Sequence, residues 1–561
     1  MCPSTQSSDT SLAAALDSST IAHGSARREW RWALLLSLII VCAGCLPYLV
    51  AWLSTPPGFQ FGGILVNPLD GNSYLTKMRQ GWDGAWLFHL TYTPEPHAGA
   101  AIFLFYLALG HLARLVGLPI IVVYHAARIL GGLAMLVAIY AFVGRLSRVG
   151  LERRLLFVLC GATAGLGWLG TMLGLFPIDL WVPEAFAFFS LQANPHFPLA
   201  IALMLIIVSG VLWPTMGVRG WLIPGFAGLA LSLVAPFSLA VLYVTLLVYL
   251  LVRVTAARLN SNTADSQTGE VNPGLRASVF AAIAMVVLSA PWVAYDLWVS
   301  SANPAMAAWS AQNVTPSPPL ADVMLGFGLL VPLAVLGAHM VLRQRDPAPL
   351  GLVLWGGVTL VMLYAPIALQ RRLITGLGLP LALLAGLALS RTPGQWAKRL
   401  TMLTLTLGIL GSAFLLFVFT AGALGQRASD PPGVLYLSQD EVAGMEWLSA
   451  NAPGEVVLAS PRSGLLLPGR AGVRVFYGHP FETIDALAKA AQAEDFFRGQ
   501  MGAAQWQDLA AQYAIRYVFV GPAERRMGAG AMPNGLEPVF HQGEVTIYRL
   551  SRLTFTRGNR S

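Results

Sequence analysis

The chain has 561 residues, of which 56% are hydrophobic and 11% charged, with a mean hydropathy of +0.63. Its apolar residues recur in blocks of about 20, the length that crosses a hydrocarbon core as helix, which excludes a soluble globular domain and gives an α-helical polytopic membrane protein. The net charge of +8 implies no nucleic-acid partner, because many Lys and Arg fall in short loops between apolar runs, where they set orientation.

Residues 1–30 are rich in Ser, Ala and Thr and carry Arg27 and Arg28, with Arg31 just beyond; they read as a disordered cytoplasmic leader before an uncleaved first span. About eleven spans are expected, near 33–54, 121–144, 154–174, 197–216, 220–235, 236–252, 276–298, 320–343, 349–367, 373–391 and 400–422. With the N-terminus inside, Arg145, Arg148, Arg153, Arg154, Arg219, Arg253, Arg258, Arg276, Arg343, Arg345, Arg391, Lys398 and Arg399 all fall inside. The segments 55–120, 175–196, 299–319 and everything after about 423 are then outside, giving a transmembrane domain over 31–422 and an extracytoplasmic domain over 423–561 of a plasma-membrane protein. The apolar stretch 99–117 would invert every later loop if counted as a span, so it is expected as a helix in the outer interface, with His111 and Arg114 toward polar surroundings. The inside loop 253–275 reads as a flexible connector. Cys2, Cys42, Cys45 and Cys160 give no disulfide framework, and Cys42-x-x-Cys45 reads as small residues within a helix.

One loop breaks the charge rule. Gln370-Arg371-Arg372 falls at the outer face, and a charge near the bilayer core costs about 2.5 to 3.5 kcal/mol, so paired arginines there call for a reason. The last 140 or so residues change character: EVVLASP, VRVFYG, RYVFVGP and GEVTIYRL read as strands, and DALAKAAQAEDFFRG and AQWQDLAAQYAI as helices, of a small α/β domain. His479, Glu482 and Lys489, and Glu524, Arg525 and Arg526, read as its solvated surface. No phosphate-loop or dinucleotide fingerprint and no transporter-type internal repeat is evident.

The stretch after the first span, Asp70-GNSYLTKMRQG, reads as a helix starting near Asn72. Tyr74, Leu75, Met78 and Trp82 share one face, and Thr76, Lys77, Arg79 and Gln80 the other, as in an amphipathic helix lying flat on the membrane. Asp70 stands at its N-terminal end, where a carboxylate caps free amides.

The series Asp70-x-x-x-Tyr74, Arg79, Gly84-Ala-Trp86-Leu87 and Pro94-Glu95-Pro96-His97, followed by the 99–117 helix and ARILGGLAMLVAIYAFVGRL, resembles the first outer loop of GT-C integral-membrane glycosyltransferases. The pattern is most similar to the protein O-mannosyltransferase and aminoarabinose transferase group, with the related RgtA/B/C/D-like domains. It covers roughly residues 33–200, and the remainder only by architecture. The sequence departs from the pattern at Gly71, where the family has a second acidic residue, at Glu95-Pro96-His97, where it has Lys-Pro-Pro, and in lacking a DxD metal signature.

What the resemblance implies is transfer of a sugar from a polyprenyl-phosphate-linked donor to an acceptor hydroxyl at the outer face, in one inverting displacement. Asp70 is then the general base, by its place at the family's acidic position, beside Tyr74 and Glu95 in the substrate loop. Arg371 and Arg372 would hold the donor phosphate, and His97, Lys77 or Arg79 would replace the missing lysine. Glu184, Asn194 and His196 are candidates for sugar hydroxyls, or for a cap and packing near the fourth span. Gln312 and Asn313, with Trp309, are candidates for sugar contact, or Trp309 for an aromatic belt. No cofactor is expected, and a divalent metal is left open. A lipid or polysaccharide transporter or flippase and a non-catalytic protein of the same fold stand as alternatives; neither the sugar nor the acceptor is written in the sequence.

Overall fold

The computed structural model describes residues 7–261, 272–344, 347–429, 433–530 and 532–551. Cys2, Arg345 and the middle of the 253–275 connector lie outside the described residues.

Helix α1 (Ser7–Leu53) starts well before the apolar run, so the leader expected to be disordered is helical from Ser7. Ala13, Ala14, Ala15 and Leu16 are strong helix formers, and no proline interrupts the helix before Pro47. Among the described residues six segments are long and apolar enough to cross a membrane: Arg27–Leu53, Ile120–Leu146, Phe237–Leu259, Pro273–Ala302, Gln370–Arg391 and Gln395–Ala428. A seventh forms if Leu320–Phe327 and Leu330–Gln344, bent by 83°, are one span. Six of the about eleven expected spans pass this measure among the described residues, or seven with the bent pair. Four further apolar helices, Leu104–Val116, His196–Leu212, Val218–Val234 and Pro347–Leu363, are shorter; at 1.5 Å per residue, 17 residues reach about 26 Å against a core of about 30 Å.

Two expected spans are broken, and their breaks meet. The 154–174 stretch divides into Gly150–Gly161 and Gly167–Met172, and the 320–343 stretch turns at Gly328, whose φ is 54°. A Cβ on Gly165 would lie 1.4 Å from the Gly326 carbonyl oxygen, so backbone packs on backbone where a continuous helix would have put side chains.

Helices α2 (Pro68–Trp82) and α3 (Leu104–Val116) follow the first span and cross closely. A Cβ on Gly81 would stand 2.0 Å from the Leu107 oxygen, and one on Gly110 2.0 Å from the Met78 oxygen. Between these helices and the first span, strand β1 (Phe59–Phe61) pairs antiparallel with β2 (Tyr436–Ser438), tying the loop after the first span to the C-terminal unit.

That unit carries β3 (Val456–Leu458), β4 (Arg474–Val475), β5 (Ile515–Val520), β6 (Leu536–Gln542) and β7 (Val545–Leu550) in the order β4-β3-β5-β7-β6. The first three strands run parallel and β7 and β6 antiparallel to their neighbours. One face buries Leu448, Leu465, Leu466, Val457 and Ile547, and the other Phe496, Phe497, Trp506, Val518 and Val520, so the central strands are apolar on both sides. The segments read as strands are β3, β4, β5 and β7; β6 was not anticipated.

The basic loops assigned to the inside meet one another. Arg154 Nη2 is 2.6 Å from Glu29, Arg391 Nε is 3.7 Å from Glu152, and Arg391 Nη1 donates to Gln344 at 2.8 Å.

Candidate active site

Helix α2 starts earlier than its sequence suggests. Asn67 adopts φ 48°, Pro68 supplies the first helical residue, and Asp70 lies in the first turn. No side chain caps the free amides; Asn67 Nδ2 donates instead to Asp70 Oδ2, so Asp70 is a first-turn acid favoured by the helix dipole and not the cap. Gly71 lies against Ile64, where a Cβ would come within 2.3 Å of Cγ2. The position at which the resembled pattern has a second acid therefore has no room for a side chain.

The polar face of α2 was expected to meet solvent above the membrane. It is covered by the C-terminal unit, and this corrects several assignments. Lys77 is 1% exposed: its Nζ lies 2.9 Å from Glu482 Oε1, hydrogen-bonds Ser73 Oγ, and sits 4.4 Å from the Phe103 ring centroid. Ser73 also donates to Glu482. Arg79 Nε binds both oxygens of Asp83, while Nη1 donates to the Arg470 carbonyl and Nη2 to Ser449 Oγ, each at 2.9 Å. Glu95 pairs with Lys489 and accepts from Thr93. His97 accepts from Leu90 N at 2.9 Å and donates through Nδ1 to the Glu95 carbonyl at 2.8 Å; burial keeps it below its ordinary pKa, hence neutral. Gln312 Nε2 donates to the carbonyls of Thr483 at 2.6 Å and Phe481 at 3.3 Å, and Asn313 is buried beside it. Lys77, Arg79, Glu95 and Gln312 thus serve the contact with the C-terminal unit, where each finds a partner, while His97 is held within its own loop by Leu90 and Glu95 and Asn313 is buried beside Gln312.

A second group does converge. The Tyr74 ring stacks on Tyr106 at 4.2 Å, and Tyr106 Oη shares a 2.6 Å hydrogen bond with His196 Nδ1. Tyr124 donates to Asn194 Oδ1 at 2.7 Å, leaving Asn194 Nδ2 buried without a partner. Glu184, 7% exposed, lies 4.0 Å from Arg371 Nε, and its carbonyl accepts from Gly376 N at 2.8 Å. Arg371 stands over the Trp181 ring at 5.3 Å and Arg372 over Phe237 at 5.0 Å, with Arg371 held at its backbone by the Thr315 carbonyl. The Tyr74 phenol registers four charged groups: burial pushes it up, the Asp70 carboxylate adds to that, Arg372 opposes, and Glu482 and Glu184 add again. Burial likewise pushes the Glu184 carboxyl up against the pull of Arg371, with Asp70 contributing to the rise. Asp70, Tyr74, Glu184, Asn194, His196, Arg371 and Arg372 come from four separate segments and form one polar site beneath the C-terminal unit. It offers a carboxylate, two guanidinium groups suited to phosphate, and donors without partners at Arg371 Nε and Asn194 Nδ2. Among the described residues no three His, Cys, Asp or Glu side chains gather as metal ligands would.

Two neighbours of this site were read as solvated surface. His479 and Glu482 are 2% and 8% exposed, and Lys489 is 1% exposed. Burial pushes the Glu482 carboxyl up, but Lys77, His479 and the Ser73 hydroxyl outweigh it and leave it below the ordinary range. Glu524 is also buried, accepting from Ser460 N at 2.8 Å and Gly521 N at 2.9 Å. The available signal was position: His479 and Glu482 follow the carboxyl end of a parallel strand, β4, where sites gather in α/β sheets.

No family model and no curated protein matches the sequence. Among solved structures, the Archaeoglobus fulgidus oligosaccharyltransferase in complex with Zn and sulfate superposes with a TM-score of 0.50 at 14% identity, over 87% of this chain and 67% of that one. The chain has a GT-C fold. Two further structures with the GT-C fold match at lower scores: ArnT from Cupriavidus metallidurans bound to undecaprenyl phosphate, with a TM-score of 0.45, 13% identity and coverage of 91% of this chain and 98% of that one; and the mycobacterial arabinofuranosyltransferase AftD, with a TM-score of 0.45, 14% identity and coverage of 93% and 40%.

Proposed function

We propose that this protein is a membrane glycosyltransferase that moves a sugar from a polyprenyl-phosphate-linked donor to an acceptor hydroxyl. The observation that carries the reading is the convergence of Asp70, Arg371 and Arg372 on the buried Glu184 carboxyl, 4.0 Å from Arg371, from opposite ends of the membrane-spanning part of the chain. The shared fold with an oligosaccharyltransferase supports glycosyl transfer as the class of reaction.

In the proposed reaction the acceptor oxygen attacks the anomeric carbon opposite the phosphate, and Asp70 takes the hydroxyl proton. The bond from that carbon to the phosphate oxygen breaks, its electron pair leaves with the phosphate, and the anomeric configuration inverts. Arg371 and Arg372 balance the charge on the leaving phosphate, with Arg371 exchanging its 4.0 Å contact to Glu184 for the anion. Asn194 and His196 address sugar hydroxyls. No cofactor enters this scheme, and no step passes through a metal. The site is proposed to face the outside of the plasma membrane, with the C-terminal unit above it and the N-terminus in the cytoplasm. The joining of Glu29, Glu152, Arg154 and Arg391, from segments assigned inside, supports that orientation.

The test is transfer by the purified protein in lipid discs supplied with polyprenyl-phosphate sugars. Asp70→Asn is expected to lower kcat by about 100-fold or more. Full activity in that variant removes the base, and no turnover by the wild type with any donor favours a flippase or an inactive relative of the fold.

A further inference from the structure

The helices Leu330–Gln344 and Gly378–Arg391 pack backbone to backbone, since a Cβ on Gly337 would stand 2.0 Å from the Leu384 carbonyl oxygen. The chain then turns at Thr392-Pro393-Gly394, where Gly394 adopts φ 100°, and begins the long helix Gln395–Ala428. Between that helix and the close pair lies a groove of about 270 Å³. Leu333, Ala388 and Leu389 are its buried floor, and Leu336 and Leu403, each about half exposed, are its walls. Thr392, which also lines it, gives its hydroxyl to the Ala388 carbonyl at 2.7 Å. A space lined in this way offers water no partners, and in a bilayer the apolar molecule at hand is an acyl chain.

The end of the groove has a different character. Trp396 is 80% exposed there, as a tryptophan at the level of lipid headgroups is, and the Arg399 guanidinium stands 5.5 Å from its ring centroid. Lys398 is exposed beside it. Arg391 is held by Glu152 and Gln344, whereas neither Lys398 nor Arg399 has an ion pair or hydrogen bond among the described residues. None of the three helices carries an Asp or Glu that would neutralise them. An apolar interior therefore opens on an unneutralised cationic end, in the same order in which a phospholipid carries its chains and its phosphate.

We propose that this groove is a binding site for an anionic phospholipid, with one acyl chain between the three helices and the headgroup phosphate on Arg399 and Lys398. The bound chain supplies packing that side chains leave out between Gln395–Ala428 and its neighbours. The site is separate from the candidate active site: Arg371 and Arg372 precede the helix Gly378–Arg391 and the groove lies at its other end, 14 residues or about 21 Å along. It does not depend on glycosyl transfer.

Native mass spectrometry of the full chain, purified in detergent and mixed with equal amounts of dioleoyl phosphatidylglycerol and dioleoyl phosphatidylcholine, reads the first lipid retained. The wild type is expected to prefer phosphatidylglycerol by about tenfold or more, and Lys398→Gln combined with Arg399→Gln to reduce that preference to about twofold or less. Leu336→Trp, which narrows the groove and keeps both charges, is expected to weaken phosphatidylglycerol binding by about fivefold or more. Melting temperatures in phosphatidylcholine discs establish that each variant is folded, and Leu336→Trp carries the test by itself if the charge variant is not. Equal retention of the two lipids by the wild type, a preference unchanged in the folded charge variant, or unchanged phosphatidylglycerol binding in Leu336→Trp overturns the proposal. Displacement of the retained phosphatidylglycerol by equimolar undecaprenyl phosphate makes the occupant a polyprenyl lipid and overturns it as well.

Discussion

At the scale of single residues, the departures from the resembled pattern have physical causes. Gly71 is glycine because its Cα lies against Ile64, so Gly71→Asp should force the first turn of α2 off that side chain and cost about 1 to 3 kcal/mol in thermal unfolding. An unchanged melting temperature would show that Ile64 yields freely. Lys77 looked like a phosphate ligand and is a structural cation instead. Lys77→Met leaves Glu482 buried and unpaired, with an expected loss of about 3 to 5 kcal/mol, whereas Lys77→Met combined with Glu482→Gln should lose less than Lys77→Met alone. A double variant worse than both single ones would mean that the pair is not what holds the contact.

At the scale of elements, the position of Asp70 depends on how α2 lies on α3. Gly81 and Gly110 bring the two backbones together, and each is opposed by a main-chain carbonyl that no side-chain rotamer can move aside. Gly110→Leu should therefore separate the helices, displace the Tyr74 and Tyr106 stack and reduce transfer, although residue 110 touches none of the proposed substrate groups. Retained activity with an unchanged melting temperature would contradict that crossing. The broken helices around Gly165 and Gly328 also show why hydropathy does not locate a break: apolar composition persists across it, and its cause is a contact made with a distant segment.

At the scale of the molecule, the C-terminal unit is joined to the segment after the first span by β1 with β2, Lys77 with Glu482, and Lys489 with Glu95. The first of these ion pairs makes docking pH-dependent. The Glu482 carboxyl is held below its ordinary value of 4.5 and the His479 imidazole below its ordinary 6.5. Both groups therefore bind fewer protons when docked than when free, so their stabilisation is present above those ordinary values and is lost as pH falls: first for His479 below 6.5, then for Glu482 below 4.5. Thermal unfolding of the C-terminal unit should shift down between pH 7 and 4, and the shift should shrink in Glu482→Gln. Orientation has its own test: an Arg371→Cys variant should react with a membrane-impermeant maleimide added outside, and labelling only from inside would remove the proposed phosphate role.

Legibility divided along physical lines. The apolar blocks and the central strands of the C-terminal unit were readable because each is a local property: composition or period within a short window. Asp70 was singled out through resemblance, and its charge acts on the Glu184 carboxyl as do those of the two arginines. What the sequence could not decide was which polar residues of the outer loops are spent on one another. Lys77, Arg79, Glu95 and Gln312 carry the same donors and acceptors whether they meet a substrate or residues 449–489 of the same chain. Only the tertiary fold chooses between those partners, because a buried charge must be satisfied by whatever group is brought within about 3 Å, and that group here lies some 400 residues away.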